Sequence, residues 1–175
     1  MTRRVVTGHN AEGKSVILSD SDHPTVKYEH TPGFESSLIW RTDAPPAERE
    51  EMTAEPLATF VPAPGETIAL TVTFPPDSVF VSGEFDGLSA VQENLHNLPG
   101  LADLFEPDAP GMHTTPTVDY VVVLDGSLVL EIDDGVTTHT LHAGDILVQQ
   151  STRHAWRVPG DKPATIFVVL MGAAA

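Results

Sequence analysis

Three side chains in the last third of the chain have the types and spacing to hold a metal or move protons: His113, Asp119 and His154. Read as strands, Val118–Leu124 and His154–Val158 send alternate residues to opposite faces. On the first, Asp119, Val121 and Val123 point one way, and Val118, Tyr120, Val122 and Leu124 the other. On the second, His154, Trp156 and Val158 oppose Ala155 and Arg157. A carboxylate on one face with two valines needs a partner or a metal once it is buried. His113 stands six residues before Asp119, at the entry of the same strand. Two imidazoles and one carboxylate make a facial triad with open positions, which suits a divalent metal such as Fe, Zn, Mn or Ni.

A lone histidine is ordinarily a surface or satisfied core residue, and the chain has 8. His9, His23 and His30 fall in loops or strand ends, and His139 and His142 sit on one strand near a turn. His96 differs, because it lies on a predicted helix four residues after Gln92 and shares a face with it. Gln92, Glu93 and His96 are therefore candidates to reach a substrate, with His96 a further catalytic candidate.

These residues need a scaffold. Thr67–Phe74 alternates Ile68, Leu70, Val72 and Phe74 with the smaller Thr67, Ala69, Thr71 and Thr73, the pattern of a half-buried strand. Arg3–Thr7 with Ser15–Leu18 reads as a hairpin, and Val26–His30 and Ser37–Arg41 as two short strands. Val118–Leu124, Leu128–Ile132, Thr137–Leu141, Ile146–Gln149, His154–Val158 and Thr165–Met171 are six more, joined by turn-forming residues. Strands at this spacing, with no helix between them, predict an antiparallel sandwich or barrel. One helical run interrupts the β pattern. Ser89 and Gln92 have capping-box spacing, Val91, Leu95 and Leu98 follow at helical spacing, and Pro99-Gly100 ends it. Only three apolar anchors hold this run, so it reads as a weakly docked flap hinged at Gly87 and Gly100, ending at the mouth of the site. Thr42–Glu55 reads as a linker or a short exposed helix over Ala47–Met52.

Composition narrows the function. The chain has 175 residues, 25 acidic against 9 basic, and a formal charge of -16. A polyanion of this kind is repelled by phosphate backbones and by anionic lipid, so neither nucleic acid nor a membrane is an expected partner. There is no cysteine, which removes disulfides, thiolate catalysis and Cys-ligated zinc. The first ten residues lack the apolar run of a signal peptide, which gives a cytoplasmic expectation.

The residues in the last third resemble the cupin superfamily, an all-β double-stranded β-helix (jelly-roll) barrel. The first cupin motif has Gly, five residues, His-x-His, three or four residues, Glu, six residues and Gly. Here His113 matches the first His, Thr115 stands for the second, Asp119 replaces Glu, and six residues later comes Gly126. The second motif opens at Gly144-Asp145; Gln150 replaces its Pro, His154 matches its His one residue early, and Val158 replaces its Asn. The resemblance implies one cupin domain over 1–175. Residues 1–75 would supply N-terminal strands and a dimer arm, 77–112 a short helical insertion, and 113–175 the motifs. It also implies a homodimer, a divalent metal on His113, Asp119 and His154, and a small-molecule substrate. Thr115, Tyr120, Gln149 and Trp156 are the candidate substrate-binding residues. The expected activity is a metal-dependent lyase or isomerase reaction: dehydration, decarboxylation or cyclisation. Fe(II)-dependent dioxygenation and metal-free ligand binding are the alternatives.

Overall fold

Thr67–Phe74 forms a strand along its whole predicted length and sits near the middle of the largest sheet. The computed structural model describes residues 2–48, 57–134 and 139–174. Its strands run in chain order as β1 (Thr2–His9), β2 (Ser15–His23), β3 (Val26–Lys27), β4 (Glu35–Thr42), β5 (Thr67–Phe74), β6 (Thr117–Asp125), β7 (Ser127–Ile132), β8 (His139–His142), β9 (Ile146–Gln150), β10 (His154–Arg157) and β11 (Ala164–Gly172). One α-helix, α1 (Gly87–Asn97), stands between β5 and β6. Six strands form a sheet in the order β3-β4-β5-β11-β6-β9. β10, β7 and β8 form a second sheet, and β1 and β2 pair with each other in a third. The strands pair antiparallel throughout. This is the expected all-β jelly-roll architecture with a short helical insertion.

The core follows from period-2 alternation. Ile68, Leu70 and Val72 of β5, Val121 and Val123 of β6, and Ile166, Val168 and Leu170 of β11 are buried in one cluster. Their register aligns them, since Leu70 opposes Val168, which opposes Val121. The faces predicted for β6 are the faces observed: Asp119 is buried with the valines and Tyr120 is exposed.

Three details depart from expectation. Val26–His30 pairs over only two residues, because Tyr28 turns inward and its N–H donates to the Phe34 carbonyl at 3.2 Å. Helix α1 is capped by Asp86 rather than Ser89. The Asp86 carboxylate accepts from Leu88 N and Ser89 N at 3.1 and 3.2 Å, and Ser89 Oγ donates to it at 2.7 Å. A carboxylate is the better acceptor for exposed helix N–H groups. The helix is also held more firmly than a three-anchor flap. Val91 is exposed, but Leu98 and Ala102 are buried with Tyr28 in a second core, against which Phe34, Phe60, Leu95 and Leu101 pack. Most of the predicted helix over Ala47–Met52, and the start of the strand at Thr137, lie outside the described residues. Among the described residues no helix is long and apolar enough to cross a membrane.

Candidate active site

His113 and His154 come together through the backbone. His113 N–H donates to the His154 carbonyl and His154 N–H to the His113 carbonyl, both at 2.9 Å. A directly opposed antiparallel pair puts both side chains on one face, and the two ring centroids are 4.3 Å apart. His154 also pairs with Ile132 of β7, so the three-stranded sheet fixes its position. Asp119 faces the histidines from the other sheet, opposite Leu170 of β11 and Gln149 of β9.

The three side chains line one cavity of about 80 Å³. Its wall is otherwise mostly apolar, from Leu70, Val121, Val168 and Trp156 at the barrel to Leu98 and Leu101 of the insertion. Exposures of 8% for His113, 3% for Asp119 and 3% for His154 set their chemistry. Burial pulls His154 down to about 4, helped by the neighbouring His113 and opposed by the Thr152 carbonyl. Burial also lowers His113, against the Gly111 carbonyl and Glu106. Both are therefore neutral imidazoles. Their tautomers are fixed, because His113 Nδ1 lies 3.0 Å from the Gly111 carbonyl and His154 Nδ1 2.9 Å from the Thr152 carbonyl. A carbonyl only accepts, so each Nδ1 carries the proton and each Nε2 keeps a lone pair. Asp119 moves the other way: burial raises it to about 6, with a Thr117 hydroxyl opposing. Its Oδ1 is buried without a hydrogen bond among the described residues.

The candidate residues divide accordingly. Thr115, Gln149 and Trp156 line the cavity with the triad. Thr115 accepts from Thr117 Oγ1 at 2.9 Å, and the Gln149 side-chain amide donates to the Thr152 carbonyl at 3.1 Å and to the Thr152 hydroxyl. Tyr120 is not brought to the cavity; it lies on the outer sheet face and is 51% exposed. His96 is not brought there either. With Gln92 and Glu93 it borders a separate surface groove beside His30, because the opposite side of the insertion carries the leucines that close the barrel. Glu93 is already engaged by the N–H groups of Glu29 and His30, at 2.7 and 2.8 Å.

The metal expectation bears on how these same three side chains are placed. Among the described residues, no three His, Cys, Asp or Glu side chains gather closely enough to hold an ion. The histidines meet as a pair, but Asp119 stands on the opposite sheet with a side chain one methylene shorter than the Glu of the motif. The residues present thus offer two imidazoles from one side of the cavity and a carboxyl group from the other.

Sequence reasoning missed several contributors. Leu98 and Leu101 close the cavity, whereas the spacing of Leu98 signalled only a helix anchor. Glu106 binds Arg153 through both carboxylate oxygens, each at 2.7 Å, and so ties the insertion to the residue preceding His154. Beside it the Phe105 ring sits 4.7 Å from the His113 ring. No local pattern marks a pair so distant in sequence.

Residues 104–170 match the Cupin domain family. Over 46 residues the chain is 48% identical to phomopsin biosynthesis cluster protein C' of Diaporthe leptostromiformis, covering 26% of this chain and 24% of that protein. Over 161 residues it is 27% identical to the cupin-domain-containing oxidoreductase fogC of Aspergillus ruber, covering 87% of this chain and 62% of that protein. The chain thus spans about a quarter of the first relative and under two thirds of the second. Among solved structures, a Cupin 2 conserved barrel domain protein from Salinispora arenicola CNS-205 aligns with a TM-score of 0.38 and 18% identity, over 69% of this chain and 72% of that one.

Proposed function

With its Cupin domain over residues 104–170 placing the chain in the cupin superfamily, we propose that it is a small-molecule enzyme of the lyase or isomerase type. Proton transfer by its own side chains carries the reaction. One observation supports this above the others: two neutral imidazoles with free Nε2 lone pairs share an apolar cavity with a carboxyl group whose Oδ1 has no hydrogen-bond partner among the described residues. An imidazole Nε2 takes a proton from a substrate carbon or hydroxyl. The Asp119 carboxyl, raised to about 6, is poised to give one near neutral pH. In a dehydration, the base removes a C–H proton, the acid protonates the departing hydroxyl, and the C–H electron pair becomes the new double bond as water leaves. In a cyclisation the same two groups serve the attacking and accepting atoms. The dry wall excludes bulk water from this exchange. Groups of this kind typically contribute ~10²–10⁴ in rate each.

The test is deuterium wash-in, followed by NMR, with a panel of small hydroxylated carbonyl compounds in D2O. Exchange or water loss that proceeds without O2, and falls at least ~100-fold in Asp119→Asn and in His154→Asn, is the expected result. Turnover that consumes O2 would instead support a second reading, redox chemistry, which the name of the Aspergillus ruber relative favours. Binding with no exchange would leave a ligand-binding barrel.

A further inference from the structure

The cavity's polar groups are unequal in kind. His113 and His154 each spend their one N–H on a backbone carbonyl and turn an acceptor nitrogen free. Asp119 Oδ1 is buried with no hydrogen-bond partner among the described residues. Gln149 spends its amide N–H groups on Thr152, which leaves its carbonyl oxygen. The donors at the wall are neutral, the Thr115 hydroxyl and the Trp156 indole. Among the described residues no lysine or arginine lines the cavity. The nearby guanidinium groups are engaged elsewhere, Arg153 by Glu106 and Arg157 by Glu131 at 2.6 Å. The net charge of -16 also opposes the approach of an anion.

Resting on the reading that this cavity is the reaction site, we propose that its substrate is a small molecule bearing an O–H or N–H donor and no negative charge. An anion entering the cavity would lose its hydration, meet no lysine or arginine among the described residues, and lie beside the imidazole lone pairs; each effect is unfavourable. A hydroxyl or amine satisfies an orphaned acceptor, and a site with buried unpaired acceptors discriminates strongly for such a group. Size sets the second limit. The volume of about 80 Å³ is roughly half the ~150 Å³ of an apolar cavity that takes up benzene. It therefore admits a compact group of about four heavy atoms while Leu98 and Leu101 stay in place. A carboxylate substrate, and with it decarboxylation, falls outside this class.

Four probes of similar size separate the possibilities: isopropanol and isopropylammonium carry donors, acetone is an acceptor only, and acetate is an anion. Each is titrated into the full chain at neutral pH, with and without a chelator, and read at the His113 and His154 imidazole resonances. The expected result is saturable shifts with the two donor probes, at least tenfold weaker response to acetone and acetate, and loss of the shifts when Val168→Phe fills the cavity. Preferential acetate binding overturns the proposal while keeping the cavity as the site. If a chelator abolishes that acetate binding, a bound cation, not the side chains, sets the preference. If no probe shifts either imidazole, or if Val168→Phe folds and responds like the parent, both this proposal and the assignment of the cavity fail.

Discussion

His113 and His154 are directly opposed antiparallel partners, exchanging both backbone hydrogen bonds at 2.9 Å with their rings 4.3 Å apart. The pairing makes each imidazole part of the other's burial. Protonating one would place a charge beside its neighbour, so His113 is a cause of the low His154 value. Asp119, across the cavity, has the opposite response to the same burial, and the two effects are separable by pH.

In the folded chain Asp119 titrates near 6 instead of 3.8. The folded state holds that proton more tightly than the unfolded chain does. Its contribution is full below 3.8 and is lost as the pH rises through 6. His154 titrates near 4 instead of 6.5, so its contribution is present above 6.5 and lost as the pH falls through 4. The two slopes oppose each other over most of this window. Asp119→Asn removes one of them, and its stability is expected to fall more steeply than the parent's from pH 6.5 to 4, by about 2 kcal/mol. His154→Asn is expected to tilt the curve the other way. Urea unfolding at stepped pH measures both, and parallel curves for parent and Asp119→Asn would contradict the shift.

Leu98 belongs at once to the second core and to the cavity wall. Truncation to Ala is expected to cost about 2–4 kcal/mol, from lost burial and the space left behind. It also enlarges the cavity, so the variant is expected to bind aromatic probes that the parent excludes. Calorimetry with benzyl alcohol is the measurement; equal affinity for both proteins would mean that Leu98 does not limit the site.

Trp156 and Tyr120 are expected to behave differently. Trp156 stands edge-on to His154 with centroids 5.7 Å apart, whereas Tyr120 faces outward. With Trp40 replaced by Phe, the remaining emission reports Trp156 alone, and isopropanol binding is expected to change it. Tyr120→Phe is expected to leave the binding curve in place. A shifted curve would bring Tyr120 back to the site.

Gly126 turns the chain from β6 to β7 at φ 74°. A Cβ there would lie 2.6 Å from the Pro163 carbonyl oxygen. Both the left-handed conformation and the clash penalise Ala, so Gly126→Ala is expected to lose about 2 kcal/mol or more. Thermal unfolding checks this, and a loss near zero would show that Pro163 yields.

The outer face of the large sheet predicts self-association. Tyr120 opposes Val148 and Val122 opposes Ile146, with Tyr120 51%, Val148 50% and Ile146 71% exposed. The hairpin of β1 and β2 pairs with neither barrel sheet. A homodimer covering this face is the expected state at micromolar concentration, and Ile146→Glu is expected to weaken it. Light scattering decides, and a monodisperse parent monomer would remove the expectation.

Much of this molecule is written locally. Alternation in Val118–Leu124 already separates Asp119, Val121 and Val123 from Tyr120, because successive strand side chains must point to opposite faces. The turn residues delimit the strands for similarly local reasons, and the charge of -16 is a property of composition alone. What alternation does not encode is which strand lies beside which. That choice brings His113 against His154, leaves Asp119 on the facing sheet across the cavity, and sets Glu106 on Arg153. It also decides which side of the insertion meets the barrel, seating Leu98 and Leu101 over the cavity and turning His96 to the surface. These are outcomes of strand register and of packing between distant segments, and burial then fixes the protonation of the groups that meet there.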